Sequence, residues 1–259
     1  MTEAAPSTRL RDRLRSGAPL IGTFVKLPAL ESVDLIRSLG FDLATVDGEH
    51  SQLDEAAILA LLRHGAALGL PMLVRTPTRD AGQINRMLEA GAAGIQLSTV
   101  RSRRDRNALV AATRYAPDGT RSVSLAHPQA DYSGIGLAQY LERSKAFPLL
   151  VAQVETATND DPLDDVLSGV DCAFLGTTDL SVDIGSPGKL DDERVKKRVT
   201  EIAGAAKRAA AALGAWVANA EQLASLKGQD FRYVLVGSDV QFMRAGLANM
   251  LSAVRQVLA

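Results

Sequence analysis

The sequence predicts a single (β/α)8 TIM barrel, in which eight parallel strands each precede a helix around one closed sheet. Short apolar runs alternate eight times with longer segments whose apolar residues recur with the period of a helix. The strand runs are apolar throughout instead of alternating, which indicates burial on both faces and therefore a parallel sheet. Eight such units in 259 residues match the usual size of this barrel.

The first four units follow one pattern, a short apolar strand and then a helix. The strands are predicted at Leu20 to Leu27, Leu43 to Val46, Met72 to Arg75 and Gly94 to Leu97. The helices are predicted around Leu30 to Ile36, at Leu53 to Leu68, at Ala81 to Ala90 and from about Ser102 to Tyr115. Gly40, Gly69 and Gly91 follow the first three helices, as expected because glycine readily adopts the left-handed backbone of a helix end.

The second half of the chain repeats the alternation. Its strands are predicted at Leu149 to Glu155, Cys172 to Gly176, Trp216 to Ala218 and Tyr233 to Gly237. The longest helix is predicted from about Asp191 to Leu213, with Gly214 as its stop, because its apolar residues recur every three or four positions. Other helices are predicted at Leu163 to Leu167, after the seventh strand and at Met243 to Leu258.

A doubly wound open sheet is the structural alternative to the barrel. That fold usually carries a glycine-rich phosphate loop after its first strand, whereas this strand is followed by Pro28, Ala29 and Leu30. The sequence contains no linker-like or low-complexity stretch. We therefore expect one domain over residues 1–259, with residues 1–16 as an N-terminal extension or helix.

Composition excludes several classes of function. The 29 Lys and Arg residues balance 30 Asp and Glu residues, which disfavours the basic surface that nucleic-acid binding needs. Cys172 is the only cysteine, which excludes a disulfide framework and a site built from several thiolates. No apolar run approaches the roughly 18 residues of a membrane span, and the polar N-terminal sequence does not resemble a secretory signal. We expect a soluble cytoplasmic protein with neither nucleic acid nor membrane as partner.

Polar residues gather where the predicted strands end, which is the edge of a barrel that carries the active site. They are Asp47, Glu49 and His50, then Arg75, then Gln153 and Glu155, then Gly176 to Asp179, then Asn219, and finally Ser238 and Asp239.

Glu155 and Asp179 end neighbouring predicted strands and could meet over the barrel mouth. Two carboxylates without a thiolate suit a hard divalent ion such as Mg²⁺ or Mn²⁺, with water and substrate oxygens completing its coordination. The alternative is structural, because such carboxylates often cap helices, and Asp179 is a plausible N-cap.

His50 and Arg75 are candidates for the chemical step. His50 is the one histidine at a predicted strand end and follows Asp47 by three residues, an arrangement that suits a general base. A guanidinium at Arg75 could stabilise developing negative charge. The alternatives are a structural histidine in a turn and a salt bridge that ties the strand ends together.

As an ordered set, these motifs resemble the HpcH/HpaI aldolase family, the class II metal-dependent pyruvate aldolases related to 2-dehydro-3-deoxyglucarate aldolase and 4-hydroxy-2-oxoheptanedioate aldolase. The resemblance runs from about Gly17 to the C-terminus. It rests on Val46 to His50, Val74-Arg75, Leu88 to Gly91, Arg114 to Pro117, Gln153 to Thr156 and Gly176 to Ser181.

The resemblance implies a carbon–carbon lyase that cleaves or forms 4-hydroxy-2-oxo acids, with a 2-oxo acid and an aldehyde as its small-molecule partners. It implies that Glu155 and Asp179 hold Mg²⁺ or Mn²⁺, with Co²⁺ as a further option, and that the reaction passes through a metal-bound pyruvate enolate. Lys26 is the one lysine at a predicted strand end that could argue for a Schiff base instead.

The resemblance also implies roles for individual side chains. Arg75 stabilises the enolate oxygen, and His50 accepts a proton with Asp47 beside it. Glu89 stands where the family carries an acidic residue that reaches across a subunit contact toward the histidine. Donor contacts are implied for Gln153, Gly176, Thr177, Thr178 and Phe24.

The resemblance implies a homo-oligomer, commonly a hexamer built as a trimer of dimers, with the last helix packed on a neighbouring subunit. The apolar residues of the final segment, such as Met243 and Leu251, fit that arrangement. They fit equally well a helix that packs on its own barrel.

Three places depart from the family pattern and keep other functions open. Thr177 replaces a usual proline, Leu97-Ser98 replaces a usual Val-Pro, and Leu125 replaces a serine near the donor. An altered donor pocket favours oxaloacetate decarboxylation, or a related enolate-based bond-forming reaction of specialised metabolism, as an alternative. A non-catalytic barrel is a second alternative, against which the four residues His50, Arg75, Glu155 and Asp179 argue.

Overall fold

Eight parallel strands close into a barrel in chain order, β1 beside β2 and so on until β8 pairs with β1. This is a computed structural model, and it describes residues 6–226 and 228–259. The strands are β1 Leu20–Val25, β2 Leu43–Asp47, β3 Met72–Thr76, β4 Gly94–Leu97, β5 Leu149–Val154, β6 Cys172–Leu175, β7 Ala212–Val217 and β8 Phe231–Ser238. The predicted (β/α)8 barrel is confirmed.

One helix precedes the first strand, and the others lie between or after the strands. They are α1 Pro6–Ser16, α2 Leu30–Ser38, α3 Glu55–Ala67, α4 Ala81–Ala90, α5 Arg103–Thr113, α6 Leu137–Ser144, α7 Leu163–Leu167, α8 Thr177–Asp183, α9 Glu193–Arg208, α10 Ala220–Ser225 and α11 Asp239–Leu258, with a 3-10 turn at Pro128–Ser133. None of the helices in the described ranges is both long and apolar enough to cross a membrane.

The core has two layers, as expected for a barrel whose strands are buried on both faces. One apolar cluster fills the interior, where the Phe174 and Tyr233 rings meet edge to face with centroids 5.7 Å apart. The buried Tyr233 hydroxyl lies 3.1 Å from the Thr45 hydroxyl, which satisfies both polar groups. The second cluster lies between the strands and the helices. The barrel interior is therefore packed, and the open space for chemistry lies at its mouth.

The boundary between α9 and β7 differs from the prediction. The helix expected to reach Leu213 ends at Arg208, and the strand expected at Trp216 already begins at Ala212. Ala210 has a φ of 56°, a left-handed conformation that ends the helix despite its alanine-rich sequence. Gly214 lies inside β7, where a Cβ would stand 2.9 Å from Tyr233 Cδ1, so strand packing and not a helix end requires this glycine.

Two further boundaries correct the predictions. Asp179 is not an N-cap, because α8 begins at Thr177 and the capping position is Gly176. Helix α11 begins at Asp239 and not at Met243, because the Ser238 side chain caps it by accepting from the Gln241 N–H.

Helix α11 contacts β1 and β8 but buries none of its residues against its own barrel. No residue of α11 is buried in the single chain. Its exposed apolar residues are Val240, Phe242, Met243, Leu247, Met250, Leu251, Val254, Val257 and Leu258. The single chain therefore gives little support to the alternative in which this helix covers its own barrel, and packing on a neighbouring subunit stays a prediction.

Candidate active site

Asp47 and Arg75 form a buried ion pair at the carboxyl ends of β2 and β3, where the strand register places them side by side. Arg75 Nε donates to Asp47 Oδ1 at 2.9 Å, and Nη2 donates to Oδ2 at 2.6 Å. Asp47 is fully buried and Arg75 is 7% exposed. Burial alone would raise the pKa of Asp47, but the hydrogen bonds and charge of Arg75, with Lys26 and the His50 N–H, hold it well below its ordinary value.

Further donors saturate the Asp47 carboxylate. Lys26 Nζ lies 2.7 Å from Oδ2, and the backbone N–H groups of Glu49 and His50 donate to Oδ1 at 3.2 and 3.1 Å. Within the described ranges Asp47 is bonded to the backbone of His50 and not to its imidazole. The resemblance places Asp47 beside the histidine, and here it orients Arg75 and the turn that carries His50.

Glu49 is the carboxylate nearest to the His50 ring. The His50 side chain is 57% exposed, and its Nε2 lies 3.9 Å from Glu49 Oε2. The same Glu49 oxygen lies 3.6 Å from Arg75 Nε and accepts a hydrogen bond of 2.7 Å from the Ser98 hydroxyl. One carboxylate oxygen therefore lies among a candidate base, a guanidinium and a hydroxyl.

Glu155 follows β5 and is held by two neighbours. Its Oε1 accepts from the Thr99 N–H at 2.9 Å and from the Thr99 hydroxyl at 2.6 Å, while Gln153 Nε2 donates to Oε2 at 2.5 Å. Burial raises the pKa of Glu155, the hydrogen bonds from Thr99 and Gln153 oppose this, and the negative charges of Asp179 and Glu49 raise it further. A cation beside this carboxylate would therefore be stabilised.

Asp179 lies exposed in the first turn of α8, near enough for its charge to act on Glu155. Gly176 opens the space between the strand end and this helix, since a Cβ there would lie 2.2 Å from Glu155 Oε2. The oxygen-only donors and this cleared space fit a hard divalent cation. In the described part of the chain, no three His, Cys, Asp or Glu side chains surround a possible metal position, so water or substrate oxygens would complete the coordination.

A pair of buried amides supports Glu155 from below. Gln96 Nε2 donates to Gln153 Oε1 at 2.7 Å, and Gln153 in turn donates to Glu155. The donor contact predicted for Gln153 stays a prediction; the residue is 1% exposed, and its amide donates to Glu155. Gln96 was not singled out from the sequence, although a glutamine in the apolar run Gly94–Leu97 is the signal that could have marked it.

The remaining residues predicted to contact the donor lie around this edge. Phe24 is buried, and Arg75 Cζ stands 4.3 Å from its ring centroid in a cation–π contact. Thr177 is buried, and its hydroxyl donates to the Trp216 carbonyl at 3.3 Å. Thr178 is exposed in the first turn of α8.

Glu89 lies apart from the other predicted site residues. It belongs to α4 on the outer layer of the barrel, and its Oε1 accepts from Asn85 Nδ2 at 3.1 Å. Within one chain the described contacts do not bring Glu89 to His50, so its implied role needs a second subunit.

Sequence reasoning did not foresee which three residues hold carboxylates of the candidate site, although it had considered Lys26 as a Schiff-base lysine. Lys26 contacts Asp47, Ser98 contacts Glu49, and Thr99 contacts Glu155. Thr99 has a φ of 49°, a left-handed conformation that costs energy for a β-branched residue. The signal for Ser98 and Thr99 was their position directly after β4, at the same edge as the other polar residues.

Comparison with known proteins agrees with this arrangement. The HpcH/HpaI aldolase/citrate lyase family profile matches residues 20–245. The chain is 28% identical over 255 residues to a hydroxypyruvate/pyruvate aldolase from Paraburkholderia phytofirmans, covering 95% of this chain and 97% of that protein. It is 30% identical over 245 residues to a 4-hydroxy-2-oxo-heptane-1,7-dioate aldolase from Klebsiella pneumoniae, covering 94% of this chain and 89% of that protein.

The fold agrees equally well with a solved structure. The crystal structure of an HpcH/HpaI aldolase from Desulfitobacterium hafniense superposes with a TM-score of 0.88 at 25% identity, covering 95% of this chain and 96% of the other. The barrel, the order of the strand-end motifs and the profile match lead to one assignment. The chain belongs to the HpcH/HpaI aldolase/citrate lyase family and has the fold of its aldolases and lyases.

Proposed function

We propose that this protein is a divalent-metal-dependent carbon–carbon lyase of the cytoplasm that cleaves or forms 4-hydroxy-2-oxo acids. Its products in the cleavage direction would be a pyruvate-type 2-oxo acid and an aldehyde. The observation that carries the proposal is the buried Asp47–Arg75 pair beside the carboxylates of Glu49 and Glu155 at the barrel mouth. The names of the aldolase relatives support the same substrate class.

Glu155 and Asp179 would hold the cation, with Mg²⁺ or Mn²⁺ favoured by their oxygen donors and Co²⁺ as a further option. When bound, such an ion supplies Lewis-acid stabilisation of negative charge on the substrate. Thr99 and Gln153 keep Glu155 in place, because each donates to a different one of its two oxygens.

Arg75 would stabilise the negative charge that develops on the substrate as its carbon–carbon bond breaks. Asp47 occupies Nε and Nη2 of Arg75, and Nη1 donates to no other residue in the described ranges. Because Asp47 and Phe24 fix the guanidinium before substrate arrives, little reorganisation is needed in the transition state.

His50 would accept the proton of the C4 hydroxyl during cleavage. The bond between C3 and C4 then breaks, its electron pair moves into the 2-oxo acid fragment as an enolate, and the aldehyde leaves. Protonation of that enolate at C3 completes the 2-oxo acid. The exposed imidazole of His50 can reach a substrate, whereas the Asp47 carboxylate is fully buried.

Donor binding would involve the segment Gly176 to Thr178 and the edge formed by Phe24 and Gln153. Gly176 supplies the space, since any larger residue would collide with Glu155. The amide of Gln153 acts mainly through Glu155, so we assign it an orienting role with at most one N–H left for substrate.

We further propose that the working enzyme is a homo-oligomer, as a hexamer or trimer of dimers, in which α11 packs on a neighbouring subunit. The row of exposed apolar side chains on α11 supports this, because such a surface is unfavourable in water. Glu89 would complete a neighbour's site in that assembly.

The decisive experiment compares metal-free and metal-loaded enzyme with 4-hydroxy-2-oxo acids in cleavage, and with pyruvate and aldehydes in condensation. We expect activity that chelation removes and that Mg²⁺ or Mn²⁺ restores. Equal rates with and without chelator would contradict the proposal. Oxaloacetate, supplied with and without an aldehyde, separates aldol chemistry from decarboxylation by the products formed.

A further inference from the structure

We propose that Ser98 is a positioning residue of this reaction, whose hydroxyl fixes the Glu49 carboxylate between Arg75 and His50. The inference rests on the proposed function, because it assigns Ser98 a part in the turnover of the same site. It adds a residue that acts through Glu49 and touches neither substrate nor metal.

The geometry places one oxygen atom at the centre of three contacts. Glu49 Oε2 accepts from Ser98 Oγ at 2.7 Å, and the same atom lies 3.6 Å from Arg75 Nε and 3.9 Å from His50 Nε2. Only the contact with Ser98 has the length of a hydrogen bond. The other two are electrostatic contacts whose strength depends on where that hydrogen bond holds the carboxylate.

Arg75 cannot hold Glu49 by itself. Its Nε and Nη2 already make the 2.9 and 2.6 Å bonds to Asp47, which lies directly opposite in the strand register. A glutamate side chain has several rotatable bonds and loses considerable entropy when it is fixed. The Ser98 hydroxyl offsets that loss, so Glu49 remains next to the guanidinium without competing with Asp47.

Ser98 is well suited to act as a fixed point. It is 1% exposed, and its backbone N–H donates to the Thr76 carbonyl at 3.1 Å, which ties the residue to β3. The backbone of Glu49 is also anchored, because its N–H donates to Asp47 Oδ1. With both main chains held, the hydroxyl determines which conformation the Glu49 side chain adopts.

The position of Glu49 matters because of the charges around His50. Lys26 Nζ donates to the His50 carbonyl at 3.0 Å, and Arg75 Nε lies 3.6 Å from Glu49 Oε2, so two cations lie close to the turn that carries the candidate base. Asp47 is neutralised by both of them. Glu49 is thus the carboxylate left to stabilise an imidazole that gains a proton during turnover, and a displaced Glu49 would not do so.

A double-mutant cycle tests whether Ser98 acts through Glu49. Steady-state cleavage of a 4-hydroxy-2-oxo acid is measured with saturating Mg²⁺ for the wild type, Ser98→Ala, Glu49→Gln and the double variant. We expect Ser98→Ala to lower kcat about tenfold, the scale for groups that orient active-site ligands, with KM nearly unchanged. In the Glu49→Gln background the same change should have no further effect. If the fold-losses of kcat in the two single variants multiply in the double variant, the proposal is wrong.

Two further variants separate positioning from a general loss of packing. Ser98→Thr keeps the hydroxyl and should recover most of kcat. Ser144→Ala is the matched control, because Ser144 is a buried serine whose hydroxyl bonds the Tyr140 carbonyl in α6, away from the site. An equal loss of kcat in Ser144→Ala and Ser98→Ala would contradict a specific role for Ser98.

A crystal structure of Ser98→Ala keeps the inference separate from the proposed function. We expect the Glu49 carboxylate to leave its place beside Arg75, whether or not the protein turns over 2-oxo acids. A wild type inactive on every 2-oxo acid would defeat the proposed lyase function. A Glu49 carboxylate that stays in place in Ser98→Ala would defeat the positioning role alone.

Discussion

Asp47 and Arg75 face each other on neighbouring strands and share two hydrogen bonds of 2.9 and 2.6 Å in the buried floor of the site. Removal of one partner leaves the other charge buried and uncompensated. The resulting loss in the free energy of unfolding is larger than the net stabilisation that the intact pair provides. The pair is therefore a structural element and also part of the proposed catalytic site, and the two roles can be tested apart.

Asp47→Asn should destabilise the protein by about 3–5 kcal/mol, the range for breaking a buried ion pair. The free energy of unfolding from urea titration measures this loss. Asp34→Asn is the control, because Asp34 also lies in a side-chain pair, with His64 at 2.7 Å, but at the surface. Asp34→Asn should lower the free energy of unfolding by less than about 1 kcal/mol, because exposed pairs contribute little to stability. Similar losses in both variants would show that Arg75 does not depend on Asp47.

The same pair predicts how stability changes in acid. Because the pKa of Asp47 is held below its ordinary value of 3.8, the folded state favours the ionised carboxylate. The resulting stabilisation is fully present above pH 3.8 and is lost as the pH falls toward the lower, folded-state pKa. Unfolding free energies measured from pH 6 downward should therefore fall more steeply for the wild type than for Asp47→Asn. Parallel curves for the two proteins would contradict the lowered pKa.

His50→Ala should lower kcat by at least about a hundredfold if His50 is the general base. The matched control is His64→Ala, since His64 lies in α3 and pairs with Asp34 outside the site. His50→Ala should leave stability unchanged, because the His50 side chain is largely exposed. His64→Ala should lower the free energy of unfolding by less than about 1 kcal/mol, because its pair with Asp34 lies at the surface. A His50→Ala enzyme within a few-fold of wild-type kcat would assign the proton transfer to another group.

Arg75→Ala should also lower kcat by at least about a hundredfold, because it removes the group proposed to stabilise the developing negative charge.

Gly176→Ala should weaken metal binding more than it weakens folding. The added Cβ would lie 2.2 Å from Glu155 Oε2, so the carboxylate must move out of its place between Thr99 and Gln153. We expect Mn²⁺ affinity, measured by calorimetry, to fall at least about tenfold. Gly136→Ala is the control, because nothing lies within 4 Å of a Cβ at that position. Unchanged Mn²⁺ affinity in Gly176→Ala would remove Glu155 from the set of ligands.

The barrel, and most of the strand ends that carry the candidate site, can be predicted from local sequence pattern. The hydrogen bonds that hold the side chains of the site in place cannot. Runs such as Met72 to Arg75 show their burial directly in their composition, so the register that joins Asp47 to Arg75 follows once the barrel is assumed. The bond from Ser98 to Glu49 joins residues 49 positions apart, and the bond from Gln96 to Gln153 joins residues 57 apart. No periodicity encodes such pairs, because they depend on side-chain direction at the barrel mouth.

Local signals also misled where tertiary packing decided the outcome. The alanine-rich sequence before Gly214 favours helix, yet the strand is stabilised by close packing of that glycine against Tyr233. Asp179 is of a residue type favoured at N-caps, but α8 starts two residues before it, and Gly176 at the capping position packs closely against Glu155. In both segments a glycine packs against a residue distant in sequence, a contact that local preferences do not reveal.

Leu247→Arg should reduce the size of the assembly if α11 packs on a neighbouring subunit. Leu247 is 66% exposed on the unpartnered apolar surface of α11. A charge at this position stays in water in an isolated chain, whereas in a contact between subunits it would be buried at a large cost in free energy. Light scattering coupled to gel filtration measures the mass of the particle. Leu35→Arg is the control, because Leu35 is 62% exposed on the short helix α2, where only Leu30 and Leu39 accompany it as exposed large apolar residues, far fewer than on α11.

The same variant tests whether Glu89 acts across the subunit contact. If it completes a neighbour's site, a dissociated Leu247→Arg enzyme should lose activity, and Glu89→Gln should lose activity without dissociation. An enzyme that stays fully active as a single chain would show that each barrel holds a complete site. A wild type that is itself monomeric would leave the exposed surface of α11 unexplained by self-association and would rule out the proposed hexamer.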